Sequence, residues 1–380
     1  MKKVIAVTSS RADYYLLRPL LMKLNMLEGI QLEIVVTGSH LLKKHGNTSQ
    51  EIKKDFKKIH PIKILSSKTD SLAIQKNLPH YLKNFLAFLS QSKPDLLILL
   101  GDRYEIFLAA IAGLFNTIPI AHIHGGEVTH GAIDDPMRHS ITKMSNLHFV
   151  AHEEYKNRVT QLGEEPNSIF NVGPMVIDNL IDTKFYDKSK LCKLLGISKL
   201  EPFFLITLHP ETYGNNNNLR NIQQLLKALK KFSDHTLLFT APNVDYEANI
   251  IRAEIENFVI QNSNAYFFNS LGSPLYLSLM RNSSCVIGNS SSGVIEAPLL
   301  GALSVNIGSR QSGRVMSKTI LASSFNSSDI FSTITRALDQ KGSYKLSKLS
   351  PKDSPSSKIV KILQKTDFHL KTNKKFNDLT

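Results

Sequence analysis

Continuous hydrophobic runs, many of them rich in β-branched residues, recur along the chain and alternate with stretches of helical periodicity. Nine such runs are predicted strands, at residues 4–7, 31–36, 96–100, 118–123, 147–150, 203–208, 236–239, 285–287 and 303–307. The runs do not alternate between apolar and polar positions, which is typical of parallel sheets that helices cover on both faces. The pattern therefore predicts an α/β fold built from βαβ units.

The alternation of predicted strands and helices is interrupted at residues 172–185, where a turn leads into a polar, lysine-rich segment. A chain of 380 residues exceeds the usual size of one core, so we predict two doubly wound Rossmann-like domains facing across a cleft. The predicted domains are residues 1–175 and 176–360, and residues 361–380 are a basic C-terminal tail. Ligands of such domains bind at the carboxyl ends of the strands, so informative residues should directly follow strands.

The composition is that of an ordinary soluble globular protein, with 42% hydrophobic and 21% charged residues. Its two cysteines, Cys192 and Cys285, favour a reducing compartment, the cytoplasm by default, over a disulfide scaffold or a thiolate zinc site. No apolar run approaches the ~20 residues of a membrane span. Charged Arg11 and Asp13 interrupt the apolar opening, so we predict a first strand there rather than a signal peptide.

The formal net charge is +14, and residues 341–380 contribute +7 of it through ten lysines and three aspartates. Such an excess suits nucleic acid, an acidic membrane or an anionic small substrate. The chain has no interleaved aromatic and basic stripe, no zinc-finger spacing and no RNA-binding signature. We therefore expect no nucleic-acid or membrane partner and interpret the excess as a solvated basic surface.

Polar residues follow the first and third predicted strands. After the first strand, Ser9, Ser10 or Asp13 can cap the next helix. Arg11, at the same helix N-terminus, suits a phosphate group, and the sequence leaves both interpretations open. After the third strand, Asp102 is more often a helix cap than a catalytic acid when taken alone.

The densest polar group is His-Ile-His-Gly-Gly-Glu at residues 122–127, followed by Asp134. Side chains two apart on a strand share a face, so His122 and His124 are predicted to point the same way. This spacing also occurs in metal sites. The two glycines after the pair instead favour a close backbone approach to a ligand, and we predict no metal.

In the second half, His209 directly follows the strand at 203–208, and Gly-Asn-Ser-Ser-Ser-Gly-Val-Ile-Glu spans residues 288–296. A valine stands where a Walker motif requires lysine, so this is not an ATPase signature. Serines at a helix start can still hold a diphosphate, Glu296 can reach a ribose diol, and Arg314 adds positive charge. No Gly-x-Gly-x-x-Gly fingerprint occurs, so no NAD is expected.

Five motifs together resemble the hydrolysing UDP-N-acetylglucosamine 2-epimerases of sialic acid biosynthesis, over residues 1–315. In chain order they are Ser-Arg-Ala-Asp-Tyr, Gly-Asp-Arg-Tyr-Glu, His-Ile-His-Gly-Gly-Glu, Asp-Asp-Pro-Met-Arg-His-Ser and Gly-Asn-Ser-Ser-Ser-Gly-Val-Ile-Glu. The resemblance implies a fold similar to the GT-B glycosyltransferases, with UDP held by the C-terminal half and the sugar facing the N-terminal half. It also implies a homodimer or homotetramer that needs no cofactor.

The resemblance assigns roles by matching position. The residues implied to bind UDP are Arg11, Ser290, Ser291, Glu296 and Arg314. The implied catalytic residues are Asp102, Asp134, one member of the His-Ile-His-Gly-Gly-Glu segment, and His209 near the diphosphate. Many relatives carry a glutamate where this chain has His124, so either His124 or Glu127 supplies that proton-transfer group.

The implied reaction converts UDP-N-acetylglucosamine to N-acetylmannosamine and UDP, by elimination to a glycal and rehydration. A hydrolysing UDP-N,N'-diacetylbacillosamine 2-epimerase, which serves legionaminic acid synthesis, would use the same chemistry and is the nearest rival. A GT-B glycosyltransferase would have the same implied fold, but no acceptor-binding motif can be recognised in this chain. A non-catalytic nucleotide-sugar sensor would not need the acid and base residues.

Overall fold

The computed structural model describes residues 1–42, 48–63, 71–129, 133–200, 202–211, 217–242, 248–340, 342, 349–368 and 374–378. The chain divides into two compact units. The N-terminal unit comprises Met1–Val128, Ile133–Ile181 and Ser350–Thr380, and the C-terminal unit is mainly Asp182–Leu349. Among the described residues, no helix combines the length and the apolar character needed to cross a membrane.

A seven-stranded parallel sheet forms the centre of the N-terminal unit. Its strands are β1 (Lys2–Thr8), β2 (Ile30–Val36), β3 (Ile59–Pro61), β4 (Leu96–Leu100), β5 (Ile120–Ile123), β6 (Leu147–Val150) and β7 (Ile169–Asn171). They lie in the order β3-β2-β1-β4-β5-β6-β7. The helices are α1 (Arg11–Asn25), α2 (Ser49–Asp55), α3 (Ser71–Ser92), α4 (Tyr104–Phe115), α5 (Asp134–Met144), α6 (Glu153–Gln161) and α7 (Val176–Asp182).

Both faces of this sheet are buried. Along β1, Val4 and Ala6 pack into one hydrophobic core with α1, whereas Ile5 and Val7 pack into a second core with α3 and α4. Successive side chains of a strand point to opposite faces, so every position of a doubly covered strand must be apolar. This arrangement explains why the strands read as continuous hydrophobic runs.

The C-terminal unit contains a six-stranded parallel sheet. Its strands are β8 (Phe203–Thr207), β9 (Thr236–Thr240), β10 (Ala265–Phe268), β11 (Cys285–Gly288), β12 (Ser304–Ile307) and β13 (Ile320–Ser323), in the order β10-β9-β8-β11-β12-β13. The helices are α8 (Lys188–Leu195), α9 (Asn218–Leu229), α10 (Ala248–Gln261), α11 (Ser273–Asn282), α12 (Ser292–Leu299) and α13 (Ser327–Asp339). Two doubly wound units are therefore present, as the sequence predicts.

The last helix, α14 (Pro355–Lys365), packs with the N-terminal unit. Its apolar residues Ile359 and Leu363 are buried in the same core as α1. Asp178 of α7 accepts hydrogen bonds from the backbone N–H and the hydroxyl of Ser356, at 2.9 and 2.8 Å. The division thus differs from the predicted one, which placed residues up to 360 in the C-terminal domain, because the amphipathic face of α14 completes the N-terminal core.

Candidate active site

Asp102 lies just beyond the end of β4 and is held by Arg138 from the second turn of α5. The Asp102 carboxylate accepts a hydrogen bond from Arg138 Nη2, and the Arg138 side chain is almost completely buried. Burial raises the pKa of Asp102, the Arg138 charge opposes this rise, and the nearby Glu127 adds to it. Asp102 is therefore a carboxylate whose affinity for a proton is set by its neighbours, as a proton-transfer group requires.

Asp134, the first residue of α5, belongs to the same charged group. Burial raises its pKa, and the negative charge of Asp102 raises it further, whereas Arg103 and Arg138 oppose the increase. Both carboxylates therefore hold a proton more readily than an exposed aspartate does. The structure therefore places Asp102 and Asp134 near each other, although they are 32 positions apart in the chain.

His122 and His124 do not point the same way, so that prediction is wrong. Strand β5 ends at Ile123, and His124 has a φ of 66°, in the left-handed region, so the alternation of a strand no longer holds there. His122 is fully buried, and its Nε2 donates to the carbonyl oxygen of Gly101 at 2.8 Å. Burial lowers the pKa of His122 to about 3, so this ring is neutral and structural.

His124 forms a pair with Glu127. The Nε2 of His124 accepts a hydrogen bond from the backbone N–H of Met175 at 3.2 Å. The proton of the neutral ring therefore lies on Nδ1, which is 2.8 Å from Oε1 of Glu127 and donates to it. This geometry makes Glu127 the carboxylate of the segment and His124 the group that orients it.

The two glycines of the segment make room for neighbouring parts of the protein. A Cβ on Gly125 would lie 3.0 Å from both His122 Nδ1 and Thr142 Oγ1. Gly126 has a φ of 77°, and a Cβ there would lie 2.5 Å from the carbonyl oxygen of Tyr155. Both glycines therefore permit close packing against α5 and α6, and the close approach of a ligand to this backbone stays a prediction.

The residues in the turn after β1 form the predicted capping interactions at the start of α1. Ser10 Oγ accepts from the backbone N–H of Asp13 at 3.3 Å, and the Asp13 carboxylate accepts from the Ser9 hydroxyl at 2.6 Å. Arg11 begins α1 with its side chain 74% exposed and 3.8 Å from Glu51. The guanidinium is thus accessible to an anion at a helix N-terminus, and its role in binding phosphate stays a prediction.

In the C-terminal unit, His209 follows β8 and is fixed to the end of β11 by Asn289. The backbone N–H of His209 donates to Asn289 Oδ1 at 2.7 Å, and Asn289 Nδ2 returns a bond to the His209 carbonyl at 2.8 Å. Gly288 permits this approach, because a Cβ there would lie 1.9 Å from the carbonyl oxygen of Thr207. Burial and the Arg310 charge lower the pKa of His209 to about 3, so its imidazole is neutral.

Ser290 and Ser291 precede α12, and Glu296 lies one turn into that helix. Tyr276 of α11 hydrogen-bonds with Ser290 and Ser292 and lies close to Glu296. Burial raises the pKa of Glu296 to about 7, and the charge of Arg314 partly opposes this rise. Four predicted residues of the nucleotide site, together with the unpredicted Tyr276, therefore surround one helix start.

Glu211 organises the loop that follows β12. Its Oε1 accepts from the backbone N–H groups of Ser309 and Arg310 at 2.8 and 3.0 Å. Gln311 Nε2 then donates to the carbonyl oxygen of Asn289 at 2.9 Å. Thr212, the last residue of the polar segment that begins at His209, lies outside the described residues.

Metal ligation has little support in the described part of the chain, where no group of three or more His, Cys, Asp or Glu side chains could hold an ion. Both ring nitrogens of His122 have partners, the Gly101 carbonyl and the Thr142 hydroxyl. His124 uses both of its nitrogens as well. The absence of a metal stays a prediction.

These features define a two-unit, Rossmann-like α/β protein with a carboxylate and histidine group in one unit and a serine-rich helix start in the other. The chain belongs to the UDP-N-acetylglucosamine 2-epimerase family, whose sequence model matches residues 22–364. The family membership predicted from the five motifs is therefore confirmed.

Three curated relatives are similar over most of their lengths. The GDP/UDP-N,N'-diacetylbacillosamine 2-epimerase (hydrolyzing) of Campylobacter jejuni is 40% identical over 329 residues, 86% of each chain. The polysialic acid biosynthesis protein P7 of Escherichia coli is 40% identical over 323 residues, 84% of this chain and 82% of that protein. The UDP-N,N'-diacetylbacillosamine 2-epimerase (hydrolyzing) of Legionella pneumophila is 34% identical over 324 residues, 84% of this chain and 85% of that protein.

Solved structures share the fold. The UDP-GlcNAc 2-epimerase of Neisseria meningitidis, determined with UDP-GlcNAc bound, has a TM-score of 0.78 and 16% sequence identity. The similarity covers 96% of this chain and 100% of that one. The predicted fold class, two Rossmann-like domains of the GT-B-like type, is thus confirmed.

Proposed function

We propose that this chain is a hydrolysing 2-epimerase that acts on a UDP-linked 2-acetamido sugar. The observation that carries this proposal is the group formed by Asp102, Asp134 and the His124–Glu127 pair in the N-terminal unit. Three carboxylates, one directly after β4, one in the segment after β5 and one at the start of α5, suit a reaction that moves one proton off a carbon and another one back. The family membership supports the same assignment.

The chemistry explains why several proton-transfer groups are needed. The hydrogen on C2 of a 2-acetamido sugar is weakly acidic, because no adjacent carbonyl stabilises a carbanion. If the C1–O bond to UDP breaks as that proton is taken, the electron pair of the C2–H bond forms the C1–C2 double bond and UDP leaves with the charge. Water then adds to C1 of the glycal, and C2 receives a proton on the opposite face, which inverts that centre.

Asp102, Asp134 and Glu127 are the proposed proton-transfer groups. The Arg138 charge opposes the rise that burial causes in the pKa of Asp102, and we assign Asp102 as the group that accepts the C2 proton. His124 donates its Nδ1 proton to Glu127 and so orients this carboxylate for the rehydration step. We thus assign to Glu127 the proton-transfer role for which the sequence left both His124 and Glu127 as candidates.

The C-terminal unit supplies the proposed nucleotide groups. Ser290 and Ser291 offer hydroxyls to the diphosphate at the positive end of the α12 dipole, and Glu296 accepts from the ribose diol. The charge of Arg314 stabilises the charge that develops on the departing UDP. A neutral His209 donates one hydrogen bond to the diphosphate.

Two substrates are proposed, in order of support. UDP-N,N'-diacetylbacillosamine comes first, because relatives with 40% and 34% identity carry it in their names. UDP-N-acetylglucosamine comes second, because a further relative with 40% identity is named for polysialic acid biosynthesis, which fits the sialic acid route predicted from the sequence. The two sugars differ at C4 and C6, so groups that contact those positions decide between them.

The experiment incubates the purified protein with UDP-N-acetylglucosamine, UDP-N,N'-diacetylbacillosamine and GDP-N,N'-diacetylbacillosamine in D₂O. We expect free sugar with inverted C2, one deuterium at C2, and nucleoside diphosphate as the sole nucleotide product, without added NAD. Proton NMR of the sugar and chromatography of the nucleotide measure these outcomes. Release of an unepimerised sugar that retains its C2 hydrogen would contradict the proposal.

A further inference from the structure

The basic C-terminal tail is partly docked on α5 rather than wholly solvated. Nζ of Lys374 donates to the carbonyl oxygens of Lys143 and Ser145, both at 2.6 Å, and approaches that of Thr142 at 3.3 Å. The last carbonyls of a helix have no partners within the helix, and a cation there is favoured by the helix dipole. Lys374 thus caps the C-terminal end of α5.

A buried carboxylate compensates the ammonium charge of Lys374. Oε2 of Glu164 lies 2.7 Å from Nζ of Lys374 and accepts from His148 Nε2 at 2.9 Å. Lys143, at the end of α5, donates to Oε1 of the same carboxylate at 2.8 Å. Only 2% of the Glu164 side chain is exposed, so these contacts are much less screened by water than a surface ion pair.

Two neighbours of Lys374 fix the segment in register. The backbone N–H of Asn377 donates to the carbonyl oxygen of Gly163 at 2.9 Å. The ring of Phe376 covers Gly163 so closely that a Cβ there would lie 2.4 Å from it. Nζ of Lys143 lies 4.8 Å from the centre of the same ring, which adds a cation–π contact. Both backbone and side-chain contacts therefore fix the position of this segment against residues 143–163.

The capped end of α5 is linked to Asp102 by two routes. The helix itself carries Arg138, which holds the Asp102 carboxylate. Thr142, whose carbonyl faces Lys374, also bonds His122 Nδ1 through its hydroxyl at 3.1 Å. Nε2 of His122 then donates to the carbonyl of Gly101, the residue before Asp102. A shift of the C-terminal end of α5 is thus passed to both sides of Asp102.

We propose that Lys374 is a positioning residue for the 2-epimerase reaction, which fixes α5 and through it the Arg138–Asp102 pair. This inference rests on the proposed function. The proposal gives the C-terminal segment around Lys374 a role in the candidate site of the N-terminal unit. Small misplacement of a catalytic group lowers turnover more than it lowers substrate binding.

The test compares Lys374→Met with Lys375→Met in the full-length chain. Both changes remove one positive charge, and Lys375 is exposed. We expect Lys374→Met to lower kcat by about 10-fold with KM and UDP affinity within about two-fold, and Lys375→Met to behave as wild type. Truncation after Phe368, which keeps that buried ring, should reproduce the Lys374→Met effect.

Hydrogen exchange of residues 138–145 provides a readout that does not depend on activity. Amides of this segment should exchange about 10-fold faster in Lys374→Met than in Lys375→Met, since opening of the helix end becomes easier. Equal exchange in both variants overturns the inference, as does equal kcat in an active enzyme. A fall in kcat that only matches a smaller folded fraction also overturns it. If wild type releases no sugar from any nucleotide-sugar, the proposed function fails, while the exchange comparison still decides whether the tail fixes α5.

Discussion

Replacement of Arg138 by methionine gives a sharp test of the role assigned to Asp102. Methionine is similar in length and apolar, so it removes the charge without opening a large cavity. The Arg138 side chain is 6% exposed and that of Asp102 is 20% exposed, so the ion pair is substantially shielded from water. In the variant, Asp102 remains beside Glu127 and Asp134 without the cation that holds its carboxylate.

The size of the effect follows from the burial of this pair. Removing one partner of a buried ion pair costs about 3–5 kcal/mol when the other partner stays charged. Because Asp102 keeps some exposure, we use the lower end, about 3 kcal/mol. One pKa unit corresponds to about 1.4 kcal/mol, so the pKa of Asp102 should rise by about two further units. A base works only when ionised, so activity is present above this pKa and is lost as the pH falls through it.

The assay is kcat as a function of pH for wild type and Arg138→Met. The acidic limb of the profile should move up by about two pH units, so that kcat at a pH below the limb falls by ~10²-fold and recovers at higher pH. Arg252→Met is the control, because its exposed pair with Glu256, 44% exposed on each side, should leave the profile unchanged. A uniform loss of kcat at every pH, with the limb in place, would refute the assignment of Asp102 as the base.

Further predictions concern the rest of the site and the assembly. EDTA should leave turnover intact, and a stoichiometric zinc whose removal abolishes activity would contradict this. Arg314→Ala should mainly weaken UDP binding in calorimetry, whereas Asp102→Asn should lower kcat by ~10²–10⁴-fold, and equal losses of UDP affinity would count against the division of roles. Glu127→Gln should accumulate glycal, with a smaller effect from His124→Ala, and the opposite order would return the proton transfer to His124. Light scattering should show a dimer or tetramer, and an active monomer at micromolar concentration would speak against it.

The hydrophobic pattern predicts the inner strands but not the edges of either sheet. Strands β3 and β7 border the first sheet, β10 and β13 border the second, and none of these four was predicted. Each has only three or four residues, with partly exposed or exposed positions among them. An edge strand is covered incompletely, so it needs no continuous apolar run and leaves little periodic signal. Central strands such as β4 are buried at all five positions, so they produce a continuous apolar run that is easily recognised.

The sequence predicted which polar residues form the candidate site, but it did not predict which residues they contact. Asp102, Asp134 and Glu127 stood out because polar residues followed apolar strands, and the structure brings them together. No pattern in the chain indicates that Arg138 holds Asp102 or that Tyr276 contacts Ser290 and Ser292, since both contacts join separate elements. Such pairs depend on the tertiary packing of helices, which periodicity alone does not specify.

The backbone at His124 determines how its side chain meets Glu127. The backbone there has a φ of 66°, so the side chain leaves the strand direction and meets Glu127 three positions later. The Met175 N–H occupies one ring nitrogen and forces the proton onto the other, which donates to the carboxylate. A histidine held in this way cannot give up its proton without losing the bond that orients Glu127. We therefore infer that Glu127 is the proton-transfer group of this segment and that His124 holds it in position.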